Sequence, residues 1–169
     1  MTHPNATKLV QGQLCKRHIN LDDSVGRWVA QTAHVAPTVH IGSEAVVLGN
    51  AQISGNAFVF GNARISGNAR IFGRACIFGD ARIFDKARIF GNARISGNAR
   101  IFDNAEISGN ARIFDNAEIS GNAQIFDNAE MSGNVFVFGY AQISDRAQIR
   151  GKVQISGYAR ILGNAQIRG

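Results

Sequence analysis

The chain is poor in the residues that brace most small folds. It has 2 cysteines, 2 prolines and 1 tryptophan in 169 residues. Cys15 and Cys76 cannot make a disulfide framework, which needs several pairs at organised spacings. No run of 18 apolar residues exists, so no segment is expected to span a membrane as a helix. The opening MTHPNATKLVQGQL lacks the apolar stretch of a secretion signal, and a cytoplasmic location is expected. Charged residues make up 18%, below the usual ~25%. The net charge of +6 is gathered in no polybasic run and reads as a modest rim charge. Threonine occurs only at Thr2, Thr7, Thr32 and Thr38, which rules out an ice-binding face built from a regular hydroxyl and methyl array.

What the chain has in their place is one short unit written over and over. From residue 51 it reads AQISGN AFVFGN ARISGN ARIFGR ACIFGD ARIFDK. The small residue is Ala from Ala33 to Ala165, with Val39, Val135 and Val153 as substitutes, and a branched aliphatic follows two residues later except at Met131. About 23 such hexads run from residue 33 to residue 169 without insertion or deletion, and internal repetition of this kind decides the fold before any local propensity does. Within a hexad the Ala-x-Ile-x alternation has period two, the mark of a short strand with Ala and Ile on one side. Gly-Asn or Asp-Asn then turns the chain, because these residues tolerate left-handed backbone at low cost. A helix is excluded: six does not match 3.6, and a glycine in most hexads would cost ~1 kcal/mol each time.

A meander of hairpins would leave a narrow ribbon with a half-alanine face. Coiling avoids this. Three hexads make a triangular turn of 18 residues, and residues i and i+18 stack at a strand spacing of ~4.8 Å. The expected fold is all-β, a parallel β-helix (solenoid) over residues 33–169, with residues 1–32 as an N-terminal cap and first degenerate coil. Leu9, Val10, Leu14, Ile19, Leu21, Val25, Trp28 and Val29 are the cap's apolar residues, Arg27-Trp28-Val29 keeps the repeat register, and Asp22-Asp23-Ser24 suits a helix cap or a turn. The sequence closes on ILGNAQIRG, still in register, so an open strand edge and a contact are expected there.

Ile65-Ser66-Gly67-Asn68-Ala69-Arg70 and Ile101-Phe102-Asp103-Asn104-Ala105-Glu106 resemble the hexapeptide-repeat family in their aliphatic and small positions. They depart from it in placing Gly or Asp two residues after the aliphatic instead of one. The resemblance implies a left-handed triangular prism. It also implies the family's commonest chemistry, acyl transfer from acyl-CoA with a histidine as general base. His34 and His40, on adjacent sides, are the only catalytic candidates in the repeats. A carbonic-anhydrase-like zinc site would need three histidines. His34 and His40 supply two, while His3 and His18 lie in the N-terminal segment, so no metal is expected.

The outward positions carry the rest of the information. Stacking by 18 places Phe60 with Phe78, Phe72 with Phe90, and Phe84 with Phe102; Phe72, Phe84, Phe90 and Phe102 each follow by two residues an arginine whose stem could cover the ring. Nine of the 11 phenylalanines occupy this second outward position, more than scattered apolar surface. Phe60, Phe72, Phe78, Phe84, Phe90 and Phe102, with Arg64, Arg70, Arg82 and Arg88, are therefore the interface candidates. Self-association through flat faces, as the resemblance implies, or through the open C-terminal end is expected; a protein partner is the other route. The arginines encircle the rod and are followed by Glu106, Glu118 and Glu130, which argues against one nucleic-acid groove. Finally, residues 101–134 repeat a 12-residue unit, IFDNAEISGNAR. Twelve does not divide 18, so the copies land on different sides, and no side keeps one surface. The reading favoured is a non-catalytic structural or interaction scaffold without cofactor.

Overall fold

The computed structural model describes residues 6–169, in which 26 strands and no helix are found. The first three strands are long: β1 (Thr7–Val10), β2 (Gln13–Ile19) and β3 (Val25–Ala30). Then come short strands, one per hexad, beginning with β4 (His34–Val35), β5 (His40–Ile41) and β6 (Val46–Val47) and ending with β24 (Gln154–Ile155), β25 (Arg160–Ile161) and β26 (Gln166–Arg168). Successive strands pass to successive sheets. One sheet has 10 strands, from β1 through β6 to β24; the second and third have 8 each and start at β4 and β5. Within the repeats, neighbours in a sheet are parallel and lie three hexads apart in the chain, as in Arg70↔Arg88 and Ile71↔Ile89. This is a parallel β-helix of about eight coils, and its three sheets agree with the triangular, left-handed prism that the resemblance implies.

The core follows from the alternation. Every inward residue from Val39 to Ile149 is at most 1% exposed. Each buried isoleucine contributes ~1.5–3 kcal/mol, and the small alanines between them keep the prism narrow. The ends are looser. Val35 at one end, and Val153, Ile161 and Ile167 at the other, are only partly buried.

The corners hold the coils at one pitch. The amides of most corner asparagines reach a corner carbonyl of the next coil, for example Asn92 to Gly109 at 2.7 Å and Asn68 to Asp85 at 2.6 Å. The residue before it is left-handed, with φ of 67° at Gly67 and 56° at Asp103. Aspartate tolerates that backbone, and here it gains a bond. The Gly121 amide donates to the Asp103 carboxylate at 2.9 Å, the Gly133 amide to Asp115 at 2.8 Å and the Gly163 amide to Asp145 at 2.8 Å. Asparagine side chains run a second ladder outside it, Asn98 to Asn116 at 3.0 Å and Asn116 to Asn134 at 3.1 Å.

The N-terminal segment departs from the expected apolar plug. Leu9, Leu14, Ile19 and Leu21 are exposed. Strands β1 to β3 run antiparallel, and β3 enters the helix through the parallel pair Val29↔Val47, in the register of the repeats. The hairpin packs on the outside of the first sheet, burying Cys15 completely with Ala30 and Leu48 against Val10, Trp28 and Val46. The free edge of β5 is met by side chains and by the Arg27 backbone amide, which donates to the Gly42 carbonyl at 3.1 Å. The Asn20 amide donates to the Ile41 carbonyl at 3.0 Å while its oxygen accepts the Ile41 amide at 2.8 Å, a side chain taking the place of a strand. His18 Nε2 contacts the Val39 carbonyl at 2.9 Å. Gly26 permits this approach, since a Cβ there would lie 2.5 Å from the Ile41 carbonyl oxygen. Asp22-Asp23-Ser24 forms a turn, with the Ser24 amide and hydroxyl bonded to the Asp22 carboxylate at 3.1 and 2.5 Å.

Asp103→Ala keeps the left-handed strain and loses the bond to the Gly121 amide, so it should destabilise by about 1–2 kcal/mol. Asp103→Gly, which relieves the strain, should cost less; denaturant midpoints that rank them the other way contradict this account. Acid should act on the N-terminal segment through His18. Burial holds its imidazole below the ordinary 6.5, against the Val39 carbonyl bond and with help from His40 and Lys16. Below pH 6.5 the unfolded chain therefore binds the proton more readily than the folded one. The stabilisation is whole above that pH and declines as the pH falls toward the lower folded pKa. Hydrogen exchange, corrected for intrinsic rates, should show residues 13–30 loosening at pH 5 relative to the mid-rod coils.

Candidate functional site

The outer surface is built by the same register as the core. Residue x of each Ala-x-Ile unit points out from its strand, and the residue after Ile sits at the strand's end. Phenylalanines in that second position pair as the spacing predicts. Ring centroids lie 5.1 Å apart for Phe60 and Phe78, 5.6 Å for Phe72 and Phe90, and 4.9 Å for Phe84 and Phe102, with planes within 8° of parallel. Phe60 is exposed and the other five are half-buried. Each pair lies on a different sheet, in overlapping coils, so together they form a belt. The expected cover by arginine is not what shields the rings. Among the described residues the one guanidinium found over an aromatic ring is Arg17, 4.4 Å from the Trp28 centroid; the phenylalanines cover one another.

Charges are arranged along the axis. Arg88 reaches Glu106 at 4.0 Å, Arg100 reaches Glu118 at 3.9 Å and Arg112 reaches Glu130 at 4.0 Å, one junction per sheet. Glu130 also takes Arg150 at 3.0 Å. These pairs are exposed, worth ~0–1 kcal/mol each. Arg64, Arg70, Arg82 and Arg94 join no ion pair among the described residues, so positive charge collects in the earlier coils.

The histidines are not brought together with a partner. His34 is exposed on β4 of the second sheet, and His40 is half-buried on β5 of the third, stacked on Phe58 at 5.7 Å. Neither has a side-chain hydrogen bond to a carboxylate among the described residues. His18 approaches His40, whereas His3 lies outside the described residues. No three His, Cys, Asp or Glu side chains converge among the described residues. Burial pushes both thiols up, Cys15 and Cys76, with a backbone bond and Arg94 respectively opposing it, so neither is an activated nucleophile.

Two surface features have no counterpart in the sequence reading. Tyr140 and Tyr158 replace asparagine at one corner and stack at 5.1 Å. They are 54% and 80% exposed, beside the exposed Phe136 and Phe138. The signal was present in VFVFGY, where the repeat's corner Asn is missing. The other is a groove of about 490 Å³ between β1 and the outer face of the first sheet. It could not be foreseen, because the hairpin's path over that face is not periodic.

The family description YdcK Beta solenoid repeat matches residues 51–64, 63–77, 87–101 and 93–109. Those matches agree with the architecture of three sheets and one coil per three hexads, which is that of a β-solenoid with hexapeptide-like repeats. No curated protein matches the sequence. The matched stretches hold the arginine- and phenylalanine-rich coils. With no carboxylate hydrogen-bonded to either imidazole among the described residues, His34→Ala with His40→Ala should leave any acetyl-transfer rate measured with acetyl-CoA unchanged; a loss of rate would reinstate a histidine mechanism.

Proposed function

We propose that this protein is a non-catalytic β-helix scaffold whose flat faces bind protein, first of all further copies of itself. The observation that carries this reading is the outward pairing of phenylalanines on all three sides of the same coils. Fully burying a phenylalanine contributes ~1.5–3 kcal/mol, so six half-covered rings in one belt hold a large unrealised gain. Arg64, Arg70, Arg82 and Arg88 flank the rings and supply a polar rim, the usual anatomy of a protein interface. Family members that trimerise through their faces support the reading by analogy.

The copying of hexads in pairs supports it from another direction. A catalytic cleft needs a few unique residues; a scaffold needs length. Adding one such pair lengthens the rod while leaving the core pattern intact, and it rotates the surface by two sides. Selection for length therefore costs a scaffold little and would displace a cleft.

Light scattering in solution tests the reading. The wild-type mass should be a multiple of the 18.2 kDa chain, and Phe72→Ser/Phe90→Ser should reduce it. Serine occupies this column already at Ser54 and Ser108, so the variant keeps the fold. An unchanged assembly mass would sink that lateral contact.

A further inference from the structure

The groove over the first sheet has a composition unlike the rest of the surface. One wall is β1, with Lys8 and Leu9; the other is the stacked column of Arg64 and Arg82, with Trp28 and Phe84 at either end. No acidic side chain lines it. Arg27 at its margin is paired to Glu44, while Lys8, Arg64 and Arg82 join no ion pair among the described residues. Arg64 and Arg82 are direct strand neighbours, so their backbones stand one strand spacing apart, ~4.8 Å. Two adjacent arginines and a lysine thus line one groove over an apolar floor, and their positive fields add there.

The site is also held in shape. The Gln13 side chain accepts the Gly49 amide at 2.7 Å, fixing β2 to the rod. Arg17 covers part of Trp28, and Val46 and Leu48 lie beneath the hairpin as part of its small core. A volume of about 490 Å³ falls in the range of small-molecule sites, too small for a folded partner.

We propose that this groove binds a phosphomonoester carrying an apolar body. Three unpaired cations favour a dianion over a carboxylate, and a phosphomonoester is largely dianionic at pH 7 because its second pKa is ~6. Arginine pairs match phosphate oxygens bidentately, and the lysine adds a point charge from the opposite wall. Trp28, Phe84 and Leu9 then meet the apolar body. The groove shares Arg64, Arg82 and Phe84 with the first-sheet face, whereas the Phe72–Phe90 contact lies on the second sheet, so the two can be tested separately.

Trp28 is the chain's 1 tryptophan, so its fluorescence reports the groove alone. Titration with phenyl phosphate should give a saturable change, with phenol giving none and inorganic phosphate binding at least tenfold more weakly. Arg64→Gln/Arg82→Gln should weaken phenyl phosphate at least tenfold, and so should Lys8→Gln by a smaller factor; Arg94→Gln/Arg112→Gln on the third sheet should not. Raising the salt concentration should weaken binding. The proposal is overturned by the absence of a saturable change, by phenol binding as well as its phosphate, or by equal losses in the third-sheet variant. An unchanged affinity in Lys8→Gln would overturn the lysine's role.

Discussion

A chain that turns at every hexad, and keeps every strand in a ladder, must change direction within a two-residue corner without giving up backbone hydrogen bonds. From Gly49 onward, the left-handed residue at each corner makes that turn. It lets the following amide point along the axis to a carbonyl of the next coil, so the corner joins the ladder instead of interrupting it. Where the corner residue is glycine the conformation costs only entropy. Where it is aspartate, the strain is partly offset by a carboxylate reaching the next coil's amide. Pitch, strand pairing and the alignment of side chains from coil to coil all follow from that geometry, and so do the phenylalanine pairs and the arginine–glutamate junctions.

Two periods are superposed in the rod. The core repeats with every hexad and is indifferent to which side a hexad occupies, because Ala and Ile serve equally on all three. The surface repeats with every coil, because only there do two outward side chains touch. Copying hexads in pairs respects the first period and breaks the second. This is why Glu106, Glu118 and Glu130 fall on three different sheets, and why the apolar pairs form a belt and not a stripe.

What the sequence made legible follows the same division. Strand positions, corners, inward residues and the stacking partners of Phe60, Phe72 and Phe84 were all readable, since each is fixed by counting. The N-terminal segment was not. Its apolar residues suggested a cap over the core, but Leu9, Leu14 and Leu21 are exposed, and the edge beside β5 is met by the Asn20 amide, the His18 imidazole and the Arg27 backbone amide. Hydropathy carries no information about a side chain that imitates a strand. The arginine cover of the rings failed for a related reason. A ring stacked on the neighbouring coil is held at contact distance by the backbone, whereas a guanidinium beside it on the same strand must give up solvent and rotamer freedom to lie over it.

The groove belongs where the two kinds of chain meet. Inside the repeats, any concavity on one coil is copied or erased by the next, and a charge cluster spreads into a belt. A localised site needs an element that occurs once. The hairpin of β1 and β2 is such an element. Laid along a column where arginine stacks on arginine, it turns a repeating surface into a walled one, bringing Lys8 opposite charges that the register had already aligned. The repeat supplies the alignment of the cations and the irregular segment supplies the enclosure, so neither the hexads nor the N-terminal hairpin alone would make a site.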